Sequence, residues 1–389
     1  MLSTNEGRIS YDSRIRGGRS DEGDTIYTFS PGLTFNRDAG YITLASRAGL
    51  RFNRYAHADG YDSDDFYSGL DFSIPTEAGL GFQGGTAFNY DERTDLDVDA
   101  GERLRTKTAR ISLNGQTAVT RKAWFLFDGG WSDTRQSMFV NRTQWFGSAG
   151  IRYDNFLYGT SLTTRYRRVE TDSEDVATGA TSLDEYSDSY TVDLSRPIFE
   201  SITGTVGVGY REVSRTMDDE PDTGRWNYNA SIQGPFLPPR MFPKLESRFT
   251  IAYQDNEAPG LGDQGGREVT GSLQVAWQAR VRTRWNISVD RGFELTARDY
   301  TVLRTQYQFG VDQQIGEFIT SNASLSWETS EYEGLSRDDA TFRAKAGLNY
   351  SISRYWSTGV TYRYEDNESD ESLLDFTRHV TSVYLNFVF

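Results

Sequence analysis

Cysteine is absent from all 389 residues, which excludes a disulfide framework and any thiolate metal site. No run approaches the roughly 18 consecutive apolar residues of a transmembrane helix. Residues 1–25 also lack the apolar centre of a secretory leader. Aliphatic residues are few: hydrophobics reach 37%, and much of that share is aromatic. A soluble domain needs roughly 45–50% apolar residues, glycine included, to build a buried centre. Proline occurs only 9 times, so long stretches can keep every ladder donor. Basic charge is not in excess either. The formal net charge of -15 argues against nucleic acid as a partner. Histidine occurs twice, at His57 and His379, which leaves little material for a hydrolytic site.

What is present is aromatic, glycine-rich and alternating. Tyr, Phe and Trp number 23, 23 and 8, beside 37 Gly. Nearly every segment follows a period of two, and none sustains a period of 3.6. From Phe139 to Tyr153, one face carries Trp145, Gly147, Ala149, Ile151 and Tyr153. The other carries Arg142, Gln144, Ser148, Gly150 and Arg152. The pattern recurs at Ile42, Leu44, Ala48, Leu50 and Phe52, and at Phe342, Ala344, Ala346, Leu348 and Tyr350. A membrane barrel explains both faces at once, with lipid outside and water inside. Aromatics gather toward strand ends, as interfacial girdles do.

The expectation is an all-β protein, a single transmembrane antiparallel β-barrel domain over 1–389. Expected strands are 7–18, 24–36, 40–56, 63–74, 78–91, 104–118, 121–133, 138–153, 155–169 and 186–196 in the first half. The second half gives 200–215, 225–234, 245–255, 267–281, 283–295, 299–313, 316–331, 338–352, 355–365 and 374–389. The count is 20, or 18 if the first hairpin fails, because bacterial single-chain barrels have even numbers. Short connections such as 37–40, 74–77, 154–155 and 353–354 read as periplasmic turns. Longer acidic segments at 59–65, 91–102, 171–185, 217–223, 255–266 and 365–371 read as extracellular loops. The terminal run Thr381, Val383, Leu385, Phe387 and Phe389 keeps one face and ends on Phe. Val383, Leu385, Phe387 and Phe389 resemble the signature by which outer-membrane proteins are recognised for assembly, and they orient the last strand toward the periplasm.

With the apolar positions facing lipid, the opposite positions face a lumen. These are Arg47, Arg51, Arg110, Arg142, Arg152, Arg165, Arg167, Arg211, Arg248, Arg280, Arg304, Arg343, Lys345 and Arg363. Few acids share that depth: Asp128, Asp193, Asp290, Asp312 and Glu328. The expected interior is therefore net positive, inside a net-negative protein. Such a lumen focuses the field of its arginines on an anionic solute. Equally, interior arginines can pair with interior acids and simply bridge strands. In the loops, Asp62, Asp64 and Asp65 are weak candidates for a divalent cation, but no EF-hand spacing occurs. No cofactor is expected, and neither histidine sits in a catalytic motif, so the chain reads as no enzyme. A TonB-dependent transporter would need an N-terminal plug, for which nothing before residue 20 suffices. No connection is long enough for the inward loop of a diffusion porin. Any constriction is expected from wall side chains or the proline-rich turn at 235–244.

The stretches "YTFSPGLTFNRDAG" and "YSISRYWSTGVTYRYEDNESD" give the chain the look of the beta-barrel porins encoded with exopolysaccharide systems. That resemblance covers the whole chain and implies passage of a secreted polysaccharide, in a logic similar to the alginate exporter. It implies a bacterial outer-membrane location, with the signal peptide absent from this sequence. Implied partners are membrane lipid and lipopolysaccharide, the barrel-assembly machinery, periplasmic export components, and an anionic polysaccharide or small anion. The other readings are a non-specific porin, or a scaffold barrel that docks partners through its acidic loops.

Overall fold

The computed structural model describes residues 2–16, 22–75, 81–97, 102–178, 181–199, 201–215, 223–237, 241–242, 244–255, 267–298, 300–332 and 335–389. Twenty strands make one antiparallel sheet. They are β1 (Leu2–Asp12), β2 (Asp24–Asp38), β3 (Thr43–Tyr55), β4 (Ser63–Ile74), β5 (Phe82–Asp97), β6 (Glu102–Ala118), β7 (Ala123–Gln136), β8 (Val140–Leu157), β9 (Thr160–Asp175) and β10 (Thr181–Phe199). Then follow β11 (Ile202–Arg215), β12 (Thr223–Gln233), β13 (Leu245–Asp255), β14 (Arg267–Arg280), β15 (Thr283–Leu295), β16 (Thr301–Ile315), β17 (Ile319–Tyr332), β18 (Asp338–Ser351), β19 (Trp356–Ser369) and β20 (Phe376–Val388). Each strand pairs with the next, and β20 pairs with β1, so the sheet closes on itself as a barrel. Closure is what lets strands cross hydrocarbon, since an open edge would leave backbone polar groups unpaired there.

The seam holds to the last residue. The backbone N–H of Ser3 donates to the Phe389 carbonyl at 2.6 Å, and the N–H of Phe389 donates back to Ser3 at 2.9 Å. Phe389 stacks on Phe387, and Phe387 packs on Trp356 of the neighbouring strand. Val383, Leu385 and Phe389 are exposed on the outer face.

Along the lipid belt the two faces separate by parity. Outward positions such as Ile9, Phe29, Trp145, Ile151, Tyr307, Leu325 and Val383 are large, apolar and exposed. Cross-strand aromatic pairs stiffen that surface in two belts. Trp285–Phe309 and Phe82–Phe127 lie toward the short turns, here called the turn end. Trp131–Trp145 and Tyr210–Trp226 lie higher, toward the loop end.

Strand bounds at 63–74, 245–255 and 283–295 coincide with the expected ones. Several strands outrun the expected spans, while others such as β3 and β20 stop short of them. Much of the acid assigned to loops is strand: Asp91 to Asp97 end β5, Thr171 to Asp175 end β9, and Glu365 to Ser369 end β19. Above the lipid belt both faces meet water, so the side-chain alternation fades while the backbone ladder continues. The segments expected at 217–223 and 255–266 lie almost wholly outside the described residues. The first strand is Leu2–Asp12 rather than 7–18, and β8 runs past the expected turn at 154–155 to Leu157, through a register shift.

Burial is lopsided along the barrel axis. The few buried apolar side chains include Ile15, Tyr55, Leu104, Val140, Val302, Leu303 and Phe376, all at the loop end. Buried polar residues such as Asp12, Asp65, Thr296, Asp339 and Glu365 cluster there too. The loop end is thus packed together, with the small hydrophobic centre that the wall itself lacks.

Candidate functional site

The inner wall divides into two arcs with different electrostatics. On the arc from β6 to β12, Arg110, Arg142, Arg152, Arg165, Arg167 and Arg211 occupy inward positions. The inward carboxylates of that arc include Asp128, Asp154, Glu185 and Asp193. Asp128 pairs with Arg165 at 3.3 Å and Glu185 with Arg211 at 3.4 Å. Arg152 lies at the turn end, 3.2 Å from Asp154 and over the Trp124 ring. Arg110, Arg142, Arg167 and Arg211 converge on one recess of ≈ 780 Å³ with Gln144, Asn227, Asn229 and the carboxylates Glu185 and Glu294. Neither Arg110 nor Arg167 makes an ion pair with a described carboxylate; the Arg167 guanidinium instead covers the Phe146 ring at 5.0 Å.

The other arc is neutralised. A chain of alternating charges runs around the loop end, from Arg103 to Asp12 (2.9 Å), Arg378 (2.7 Å), Glu365 (3.3 Å), Arg343 (2.7 Å), Glu328 (3.3 Å), Arg304 (3.7 Å) and Glu294 (2.7 Å). These residues sit on β6, β1, β20, β19, β18, β17, β16 and β15 in that order. Two guanidiniums share the Asp12 carboxylate, whose side chain is 1% exposed. A carboxylate this buried needs such partners to remain charged.

The remaining expected residues are spread over this arc. Arg47 donates to Asn89 and Arg248 to Gln233. Arg51, Arg363 and Lys345 line one cavity with Asp12 and Arg378. Lys345 and Arg248 line a second, of ≈ 820 Å³, with Arg284 and the carboxylates Glu246, Asp290 and Asp312. Arg280 follows a register shift after Trp277 and ends β14 at the turn end.

Several expectations are corrected by this arrangement. Inward acid is more abundant than expected, since Glu6, Asp12, Asp65, Asp71, Glu246 and Glu365 also take inward positions, as do the further cations Arg8, Arg284 and Arg378. Asp65, Asp71 and Glu246 lie within strands whose bounds match the expected ones, whereas Asp12 and Glu365 lie toward the loop ends of theirs. Asp62, Asp64 and Asp65 do not converge. Successive strand residues face opposite ways, so Asp64 pairs with Arg54 outside while Asp65 points inward to Ser63 and Asn53. Asp62 accepts from the Tyr55 backbone. Among the described residues no three His, Asp or Glu side chains are grouped to hold a metal ion. The proline-rich turn supplies no constriction in its described part, since Phe242 packs on Trp277 on the outer face.

Narrowing comes instead from the loop end. The turn between β15 and β16 reaches the far wall: Arg142 on β8 donates to the Thr296 carbonyl at 3.3 Å. The Arg298 guanidinium stands 4.6 Å over the Phe139 ring. From the other side, Arg103 donates to the Ile15 carbonyl at 2.8 Å, drawing the β1–β2 connection inward. The sequence could have yielded Arg378, which shares inward parity with Ser382 and Tyr384. Arg103, Thr296 and Arg298 carry no periodic mark. His57 Nδ1 is 3.0 Å from Asp24 at the loop-end rim, and His379 Nδ1 is 2.8 Å from the Tyr362 hydroxyl on the outer face.

Among curated proteins, none matches the sequence. Solved structures of similar shape include the siderophore receptor PiuA from Acinetobacter baumannii, at 7% identity and TM-score 0.55 over 100% of this chain and 82% of that one. The siderophore receptor PirA from Pseudomonas aeruginosa gives 9% and 0.54, over 100% and 80%. The ferric citrate transporter FecA, unliganded, gives 9% and 0.56, over 100% and 78%. At such identities the likeness establishes the barrel fold and nothing about cargo. Residues 252–389, from the end of β13 through the closing strand β20, match the family described as Putative beta-barrel porin 2, and over that stretch the chain carries this porin family's pattern on a closed outer-membrane-type barrel.

Proposed function

We propose that the protein is an outer-membrane channel that passes anionic solutes along the arginine arc of β6–β12, with a secreted acidic exopolysaccharide as its cargo. The observation that carries this reading is the recess where Arg110 and Arg167, with no ion pair to a described carboxylate, stand beside Arg142 and Arg211 and outnumber the carboxylates Glu185 and Glu294. On the opposite arc Arg304, Arg343 and Arg378 are each held by carboxylates and offer a passing anion little net field. A low-dielectric wall concentrates the field of the arginines with no such partner. Guanidinium forks match carboxylate, sulfate and phosphate groups, and the amides and hydroxyls around them suit a hydrated sugar chain. The loop end faces the cell exterior in this reading, and the apolar belt sits in the outer membrane with lipopolysaccharide around it.

The reading is tested by reversal potentials of the purified barrel in planar bilayers under a potassium chloride gradient. Anion selectivity is expected, with stronger block by an acidic oligosaccharide than by a neutral dextran of equal length. Cation selectivity would overturn the channel assignment. Equal block by both sugars would remove the acidic cargo.

A further inference from the structure

We propose that Lys345 and Arg363 form a second oxyanion site in the lumen, on the wall facing the arginine recess. It uses none of the residues of that recess. It rests on the anion-channel reading only for its role, as a second foothold for the same acidic cargo.

Lys345 on β18 and Arg363 on β19 are direct ladder partners, and both side chains are exposed on the inner face. Their Cβ atoms therefore stand about 5 Å apart, a placement at which like charges destabilise a sheet. Neither makes a hydrogen bond or an ion pair with a described residue. The nearest carboxylates are committed to other cations. Glu365, two residues along β19, is held by Arg343 at 2.7 Å and by Arg378 at 3.3 Å. Asp12 is shared by Arg103 and Arg378. The cavity that Lys345 and Arg363 line holds six cationic side chains against four carboxylates. Besides Asp12, those carboxylates are Glu6, which meets Arg8 at 2.8 Å, Asp65, which faces Arg51 across the ladder, and Asp95, which meets Arg93 at 3.9 Å. The surplus is the Lys345–Arg363 pair.

Polar groups form a floor beneath this pair. One row toward the turn end, Asn322, Gly347 and Thr361 lie side by side on β17, β18 and β19. A Cβ at Gly347 would stand 2.7 Å from Asn322 Oδ1, so glycine leaves room for that amide to lie across β18 at the foot of Lys345. The side chains of Asn322 and Thr361 make no hydrogen bond to a described residue. Two cations, an amide and a hydroxyl thus share one patch of wall. This is a donor set for a compact oxyanion, with the guanidinium fork taking two oxygens and the ammonium and neutral donors taking the rest.

Position gives the site its role. Arg363 and Arg167 lie on β19 and β9, ten strands apart in a ring of twenty, and so on opposite walls. Counted from Trp356 and Thr160 at the turn end, each is the eighth residue of its strand, which sets the two sites at matching height. An acidic chain released by one wall meets oxyanion donors on the other at the same depth. Passage needs such multiple sites, each binding well enough to admit the solute and weakly enough to release it.

Because the sequence holds no cysteine, Ser324→Cys places a single thiol opposite Lys345 on the neighbouring strand. With that barrel in lipid vesicles, its modification by the anionic sulfonatoethyl methanethiosulfonate is compared with that by the cationic trimethylammonium analogue. The anionic reagent should be favoured on the order of tenfold over its ratio for a free thiol, as expected where a cationic wall concentrates anions. Adding Lys345→Gln and Arg363→Gln should return the ratio to the free-thiol value. Inorganic sulfate at constant ionic strength should slow the anionic reagent saturably in the first protein and not in the second. Slowing that follows ionic strength alone would mean diffuse screening and overturn the site. Lys345→Gln by itself should unfold from vesicles at the same or higher urea than wild type, because it relieves the like-charge opposition; a lower midpoint would make the pair a structural brace and overturn the proposal too. Heat-modifiable gel mobility verifies that every variant forms a barrel. Cation selectivity of the unmodified channel would sink the anion-channel reading and leave this site standing, whereas a reagent ratio indifferent to the two substitutions would sink the site and leave that reading.

Discussion

Arg378 on the last strand holds Asp12 on the first through two nitrogens, Nε at 2.9 Å and Nη2 at 2.7 Å. The seam of the barrel is therefore clasped by side chains at the loop end as well as by its backbone ladder. Asp12 also receives Arg103, so Asp12→Asn would leave two buried guanidiniums short of their counter-charge. Removing one partner of a buried pair costs ~3–5 kcal/mol. The variant should unfold from lipid vesicles at clearly lower urea than wild type, whereas Glu6→Gln, at a half-exposed pair with Arg8, should move the midpoint little. Equal midpoints for the two variants would show that the clasp adds no stability.

The closed sheet was legible because lipid and water impose opposite demands on alternate residues, and those demands repeat for the height of the membrane. Strands whose alternation stays intact, such as 63–74 and 283–295, could be bounded to the residue. Legibility fails where the solvent contrast ends. Glu365 and Asp91 read as loop because acids replace the apolar alternation near the loop end, yet they continue the ladder. It also fails for contacts across the lumen. Arg142 and Thr296 lie 154 positions apart and meet only because the wall between them curves closed. The arginine list identified the lining of the recess but not which members were already neutralised, since that depends on acids such as Glu365 near the loop end.

The division of the wall into two arcs predicts unequal effects from equal changes of charge. Arg110→Ser with Arg167→Ser removes two cations that make no ion pair with a described carboxylate and should lower the anion-to-cation permeability ratio several-fold. Arg343→Ser removes a cation shared by Glu328 and Glu365. Its loss unmasks carboxylates at the loop end and should shift selectivity far less. Comparable shifts from the two sets would mean that the whole lumen, rather than one arc, sets selectivity.

Asp24 ties the connection after β3 to the start of β2. Its carboxylate accepts from the backbone N–H of His57 at 3.0 Å and of Ala58 at 2.9 Å, and meets His57 Nδ1 at 3.0 Å. Asp24→Asn keeps the size but weakens these charge-assisted bonds. Hydrogen exchange at the His57 and Ala58 amides should quicken on the order of tenfold, with the β2–β3 ladder unaffected. Unchanged exchange would show that the connection is held by something other than this carboxylate.

Leu325 and Ser324 are neighbours on β17 that face opposite solvents, with Leu325 49% exposed on the outer belt and Ser324 lining an inner cavity. An arginine on the lipid side near the midplane costs ~2–4 kcal/mol, because its charge must reach an interface or draw water to itself. An arginine on the lumen side remains in water. Leu325→Arg should therefore lose much of its heat-modifiable folded form after refolding into vesicles, while Ser324→Arg should fold like wild type and conduct with stronger anion preference. Equal folding of both variants would argue that this surface does not face hydrocarbon. The opposite ranking would mean that the two faces of β17 have been exchanged, and with them the assignment of every inward arginine, because a one-residue slip reverses the whole strand.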